Sequence, residues 1–212
     1  GDNNVVIGGL AGDALTTGSD NVIIGYNAAT AMSTGGQNTV VGRQAGVALT
    51  TGNGGNAFLG YYAGSGITTG AYNVAIGYGP LDAATSEDKN IAIGKDALGG
   101  GSLSGAEYNI AIGTEACSVI TSGDENTAMG HEAGKDITTG ANNTFLGQNA
   151  GHANTTGTQN TAVGQAALDA VTTTSFHTAV GYTALGANTS GVGNTAVGHG
   201  SLVANTTGGS NN

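Results

Sequence analysis

The stretch Asn160-Thr161-Ala162-Val163-Gly164 decides the architecture, because close copies of it pace the whole chain. Its final glycine recurs at Gly8, Gly25, Gly42, Gly60, Gly77, Gly94, Gly113, Gly130, Gly147, Gly164, Gly181 and Gly198, at intervals of 17 residues with single steps of 18 and 19. A fixed period of this kind means stacked supersecondary units that bury their apolar faces against one another. One continuous array over 1–212 is therefore expected, without an internal domain boundary.

Numbering the leading residue as position 1, the units begin at Asn4, Asn21, Asn38, Asn56, Asn73, Asn90, Asn109, Asn126, Asn143, Asn160, His177 and Asn194. Positions 2 to 4 are mostly β-branched or alanine, position 5 is glycine, position 8 is nearly always alanine, and positions 13 to 15 read Thr-Thr-Gly, as at Thr50-Thr51-Gly52. Glycines at positions 5 and 15 would each cost about 1 kcal/mol inside a helix. A short β-branched run bounded by Asn and Gly reads instead as a strand. The fold class is all-β: a parallel β-solenoid of about twelve 17-residue coils. Asparagine at position 1 suits a stacked hydrogen-bonded ladder, here Asn21, Asn38, Asn73, Asn126, Asn143, Asn160 and Asn194. Glycines at 5 and 15 suit corners where φ is positive or backbones lie close. The longer intervals place loop insertions near Asn53-Gly54-Gly55 and Gly99-Gly100-Gly101. The loss of Thr-Thr-Gly at Thr85-Ser86-Glu87 predicts an irregularity from Pro80 to Tyr108. The first residues, Gly1-Asp2-Asn3, match the tail of a unit and Asn211 opens another, so a segment of a longer fibre is expected.

Alternate residues of a strand face opposite sides. Position 4 is always large and apolar and is expected to fill the coil. Position 3 then faces outward, yet it too is apolar throughout: Val6, Ile23, Val40, Phe58, Ala75, Ala92, Ala111, Ala128, Phe145, Ala162, Ala179 and Ala196. A strand apolar on both faces is covered on both, so position 3 is expected to form an interface between copies, most economically in a symmetric trimer.

The repeated Asn-Thr-Ala-Val-Gly and Asn-Ile-Ala-Ile-Gly motifs resemble the head repeats of YadA-like trimeric autotransporter adhesins, and similar arrays in bacteriophage tail fibres. The resemblance spans all twelve units but lies in the five-residue core and the Ala and Gly that follow. The coil here is longer and carries a regular Thr-Thr-Gly. The resemblance implies a left-handed roll, a homotrimer, and an extracellular cell-surface appendage or virion tail fibre that touches a host-cell surface, matrix or glycan. It carries over no catalytic residue.

Charge narrows the partners. Charged residues make up 8% of the chain and the net charge is −10, against roughly 25% charged in an average globular chain. Nucleic acid is disfavoured, since phosphate binding needs clustered Lys and Arg. Membrane insertion is disfavoured as well, because no apolar run approaches the roughly 20 residues of a spanning helix. The single cysteine, Cys117, reads as a small buried thiol. No hydrolase, P-loop or zincin motif occurs, and the four histidines lack metal-ligand spacing, so no enzyme activity and no cofactor are expected. Ten of the 14 acids lie between Asp82 and Asp136. Asp96, Glu115 and Glu132 share position 7 in consecutive coils, forming an acidic column that could hold Ca²⁺ unless splayed into water or relieved by Lys95 and Lys135. Position 12 changes from apolar (Leu15, Met32, Leu49, Ile67) to partly Asn (Asn154, Asn188, Asn205), and the sequence leaves its side open. The leading functional expectation is a rigid structural or adhesive fibre segment. The alternative is an ice- or carbohydrate-binding solenoid that uses the regular column Thr127, Thr144, Thr161, Thr178 and Thr195.

Overall fold

The computed structural model describes residues 1–51, 54–101 and 103–211. Among these residues twelve three-residue strands form one parallel sheet in sequence order. They are β1 (Val5–Ile7), β2 (Val22–Ile24), β3 (Thr39–Val41), β4 (Ala57–Leu59), β5 (Val74–Ile76), β6 (Ile91–Ile93), β7 (Ile110–Ile112), β8 (Thr127–Met129), β9 (Thr144–Leu146), β10 (Thr161–Val163), β11 (Thr178–Val180) and β12 (Thr195–Val197). Each strand pairs in register with the equivalent residues one coil on, as Thr161 with Thr178 and Val163 with Val180. The chain is thus a β-solenoid with one coil per repeat. Among the described residues no helix is long and apolar enough to cross a membrane.

The insertions leave the strands untouched. Thr39 still pairs with Ala57 across the 18-residue step, and Ile91 with Ile110 across the 19-residue step. Both additions are absorbed in the return half of the coil. Gly54 and Gly55 turn with φ of +76° and +75°, while Gly52 and Asn53 lie outside the described residues. Between Pro80 and Tyr108 the irregularity has a specific cause. Glu87 stands where other coils place the position-15 glycine, and its buried carboxylate accepts N–H groups from Thr85, Ser86 and Gly105. The two extra residues of the next coil bring Gly105 to that carboxylate.

Position 5 needs glycine on two counts. Its φ lies in the left-handed half of the map, for example +133° at Gly25, and a Cβ there would sit 2.5 Å from the Gly42 carbonyl oxygen of the next coil. No L side chain tolerates both. Position 15 differs: its φ is not positive, and glycine serves close approach alone, since a Cβ on Gly140 would meet the Gly157 oxygen at 2.6 Å. The coil makes its other left-handed turns at positions 7, 9 and 17, largely with non-glycine residues such as Asn27, Leu168 and Tyr72.

The asparagine column is a buried ladder, interrupted at His177. Asn126 donates its backbone N–H to Asn109 Oδ1 at 3.0 Å, and its Nδ2 donates to Asn109 Oδ1 at 3.1 Å and to the Gly140 carbonyl at 2.9 Å. The bonding of Asn143 to Asn126, and of its Nδ2 to Gly157, repeats this one coil on. Each side chain thereby joins one coil to its neighbour and the strand start to the position-15 corner of its own coil. This satisfies polar groups that the thin coil would otherwise bury unpaired.

The interior overturns one expectation. Position 3, not position 4, fills the coil: Ile23, Val40, Phe58, Ala75, Ala92, Ala111, Ala128, Phe145, Ala162 and Ala179 are all 0% exposed. Their partners inside are positions 8, 9 and 12, including Leu168, Leu185, Met32, Leu49 and Ile120. Position 12 is therefore a core column, with Asn154 and Asn188 buried in it. Positions 3 and 9 trade volume in most coils; Ala128 and Gly134 are both small, and Phe145 of the next coil reaches toward that space. Phe58 faces Gly64 and Phe145 faces Gly151, whereas Ala162 accompanies Leu168 and Ala179 accompanies Leu185. Close packing explains the exchange, because a narrow coil holds one large side chain at that level and not two.

Candidate functional site

With position 3 turned inward, positions 2 and 4 point out of the sheet. The interface expected at Val6, Ile23, Val40, Phe58, Ala75, Ala92, Ala111, Ala128, Phe145, Ala162, Ala179 and Ala196 is therefore corrected, because these side chains are the core of their own coil. Only Val6, in the first strand, is substantially exposed. The outward row is Ile7, Ile24, Val41, Leu59, Ile76, Ile93, Ile112, Met129, Leu146, Val163, Val180 and Val197, flanked by position 2. Leu59 is 51% and Met129 42% exposed, large values for mid-sheet aliphatics. Position 2 is Val, Ile, Ala or a single Thr from β1 to β7, then Thr in every strand from Thr127 to Thr195. No charged residue occurs at either position in any strand. The signal that could have assigned the faces was the reciprocal size of positions 3 and 9, which marks them as sharing one interior.

Beyond the position-5 corner, position 6 carries a second outward column. Tyr61 and Tyr78 stack with centroids 5.1 Å apart, and the Arg43 guanidinium lies 5.8 Å from the Tyr26 ring centre and 5.4 Å from that of Tyr61. Farther along, Tyr182 stacks on His199 at 5.1 Å. In-register stacking brings these rings together. Their faces are turned toward one another along the axis, so the column adds cohesion between coils.

The acidic column is compensated from within the chain. Lys135 Nζ lies 2.7 Å from Glu115 Oε2 and 2.8 Å from Glu132 Oε1, bridging two of the three carboxylates. Hydrogen bonds to both hold its ammonium well above the usual lysine range, and the Lys135 hydrogen bond in turn holds Glu132 below the usual carboxylate range. Lys95 Nζ pairs with Asp96 Oδ2 at 2.6 Å. Burial, then the charge of Asp96, pushes Asp82 up. All three carboxylates of the column are thus paired with lysine, Glu115 and Glu132 with Lys135 and Asp96 with Lys95. Among the described residues no group of three or more His, Cys, Asp or Glu side chains is arranged to hold a metal ion.

The remaining chemistry-bearing residues are dispersed. Cys117 is fully buried at position 9, and burial pushes its thiol up to about 12, so it is a packing group. His131 and His152 approach Glu132 at 3.9 and 3.8 Å. His177 is buried within the ladder. No protein-family model, curated protein or solved structure matches this chain.

Proposed function

We propose that this chain is a rigid structural or adhesive segment of an extracellular or virion fibre, assembled as a homo-oligomer through the outward face of its sheet. The observation that carries the reading is the uncharged row of positions 2 and 4, aliphatic at position 4 in all twelve strands. With strands about 4.8 Å apart, twelve of them make a strip about 53 Å long. At a width of about 12 Å the strip covers on the order of 600 Å², near the roughly 800 Å² per partner of a standard interface. That is also the upper end of what a monomer leaves uncovered. Another copy of the same strip is the economical cover, and a trimer lets each strip meet two neighbours around one axis. The interior offers stiffness, since each coil is tied to the next by strand pairing and by the asparagine ladder.

Light scattering on the intact chain tests the reading, with a discrete oligomer expected. Ile93→Lys together with Ile112→Lys places charges on the strip without touching the core and is expected to yield folded monomers. A wild-type monomer would overturn the proposal. A second reading, a solenoid binding ice or an ordered glycan, is favoured by one feature, the outward column of five threonines from Thr127 to Thr195. Its neighbours at position 4 are Met, Leu and Val, so the array is only half hydroxylated. Ice shaping by the wild type that is lost in Thr161→Lys would favour it over the fibre.

A further inference from the structure

His177 is the single interruption of the asparagine column, and its neighbours differ from those of every other rung. Its backbone N–H reaches Asn160 Oδ1 at 3.0 Å, so the ladder arrives intact from the coil before. Onward, the acceptor of the Asn194 backbone N–H is the imidazole Nδ1, at 3.3 Å, in place of an amide oxygen. Nε2 lies 2.9 Å from Thr174 Oγ1 and 3.4 Å from Asn188 Nδ2. Since Nδ1 accepts, the neutral ring carries its proton on Nε2 and donates it to the threonine hydroxyl. The corner carbonyl that a ladder asparagine would serve in this coil, Gly191 O, is taken by Asn188 Nδ2 at 3.0 Å, and Asn188 Oδ1 accepts the Gly191 N–H at 3.1 Å. Asn205 makes the same pair of bonds to Gly208, but there the ladder rung Asn194 donates to that carbonyl as well, whereas at Gly191 Asn188 serves the corner alone.

We propose that His177 is an acid-sensitive joint, and that its protonation releases the coils on its C-terminal side while those before it stay closed. An amide oxygen accepts hydrogen bonds at any physiological pH, whereas imidazole Nδ1 ceases to accept once protonated. The new Nδ1–H would then point at the Asn194 N–H, two donors facing each other in a site 1% exposed. The groups around the ring are neutral on every side: Asn160 and Thr174 from the coil before, Asn188 and Gly191 from its own, Asn194 from the coil after. No carboxylate among them stabilises the cation. Burial holds the ring below the usual histidine range, outweighing the opposite pull of the Gly191 backbone. The neutral ring is thus favoured when folded and the charged ring when open. Opening is insensitive to pH above about 6.5 and rises about tenfold per unit below it, until the folded ring itself protonates.

Hydrogen exchange of the intact chain, read by mass spectrometry at pH 7.5 and pH 5 and corrected for intrinsic rates, tests the joint. The opening constant over residues 178–211 is expected to rise by up to about 30-fold between the two, with residues 110–163 unchanged. His177→Asn restores the rung and is expected to abolish the rise. An equal rise in both proteins, or none in the wild type, overturns the proposal. Should the variant fail to fold, NMR titration of the wild-type His177 ring decides, and a midpoint at or above the ordinary histidine value overturns it.

Discussion

The exchange of volume between positions 3 and 9 can be tested by transplanting one coil's solution into another. Phe145 is fully buried, and a Cβ added to Gly151 would lie 2.6 Å from its ring carbons. Phe145→Ala is expected to cost about 3–5 kcal/mol, the usual range for a truncated core phenylalanine. Gly151→Leu collides with the ring, at about 1–3 kcal/mol for overpacking, plus about 1 kcal/mol for a side chain at positive φ. That conformation is accessible to leucine, for Gly151 has φ of +59° and Leu168 occupies the equivalent place at +58°. The double variant recreates the Ala162–Leu168 arrangement. It keeps the φ cost and a residual gap, because Phe145 also reaches toward Gly134 of the preceding coil, where an added Cβ would lie 3.0 Å from the ring. Its total is expected near 2–3 kcal/mol, at about 0.8 kcal/mol per missing methylene. The single costs sum to at least about 5 kcal/mol, so the pair couples favourably by at least about 2 kcal/mol. Urea unfolding followed by far-UV circular dichroism on all four proteins supplies the cycle. A double variant no more stable than Phe145→Ala would refute the reasoning.

Asn126→Ala removes one rung and strands the Asn143 N–H and the Gly140 carbonyl in the interior; at about 1–3 kcal/mol per orphaned group, a loss of about 3–5 kcal/mol is expected by denaturant titration. Asn154 is buried at position 12 with both amide atoms unpaired, between Ile137 and Val171. Asn154→Leu should therefore raise stability by about 1–3 kcal/mol, and a lower melting temperature would contradict this account of the column. The Cys117 thiol, buried and pushed up to about 12, is expected to ignore an aromatic disulfide reagent at pH 8 in the native protein and to react at once in denaturant; native-state reaction at the free-thiol rate would show the coil open there.

Much of the fold is legible because one turn of chain repeats twelve times. Asn21 through Asn194 could be read as a ladder since asparagine alone among the common turn residues offers an acceptor and two donors at every step. The position-5 glycines could be read as obligatory corners. The Lys135 bridge was visible only as nearby lysine in the sequence, because its reach to both Glu115 and Glu132 depends on how adjacent coils stack. The left-handed turns at Leu168, Tyr72 and Phe176 were not legible. Such residues avoid positive φ in isolation, and the closed coil imposes it on them.

The sequence by itself determined the coil length, a strand at positions 2 to 4, the parallel stacking and the ladder, because a fixed period with a recurring polar position and invariant glycines admits few other structures; the second, shorter strand that the Thr-Thr pair suggested does not form among the described residues. It could not determine which side of the strand turns inward. Positions 3 and 4 are both apolar throughout, and a strand's two-residue alternation is unchanged when its faces are exchanged. Only the closed coil decided, by bringing position 9 and position 12 against position 3. That choice put Phe58, Phe145 and the alanines into the core and left Ile24, Ile93 and Val163 in the row that another copy is proposed to cover.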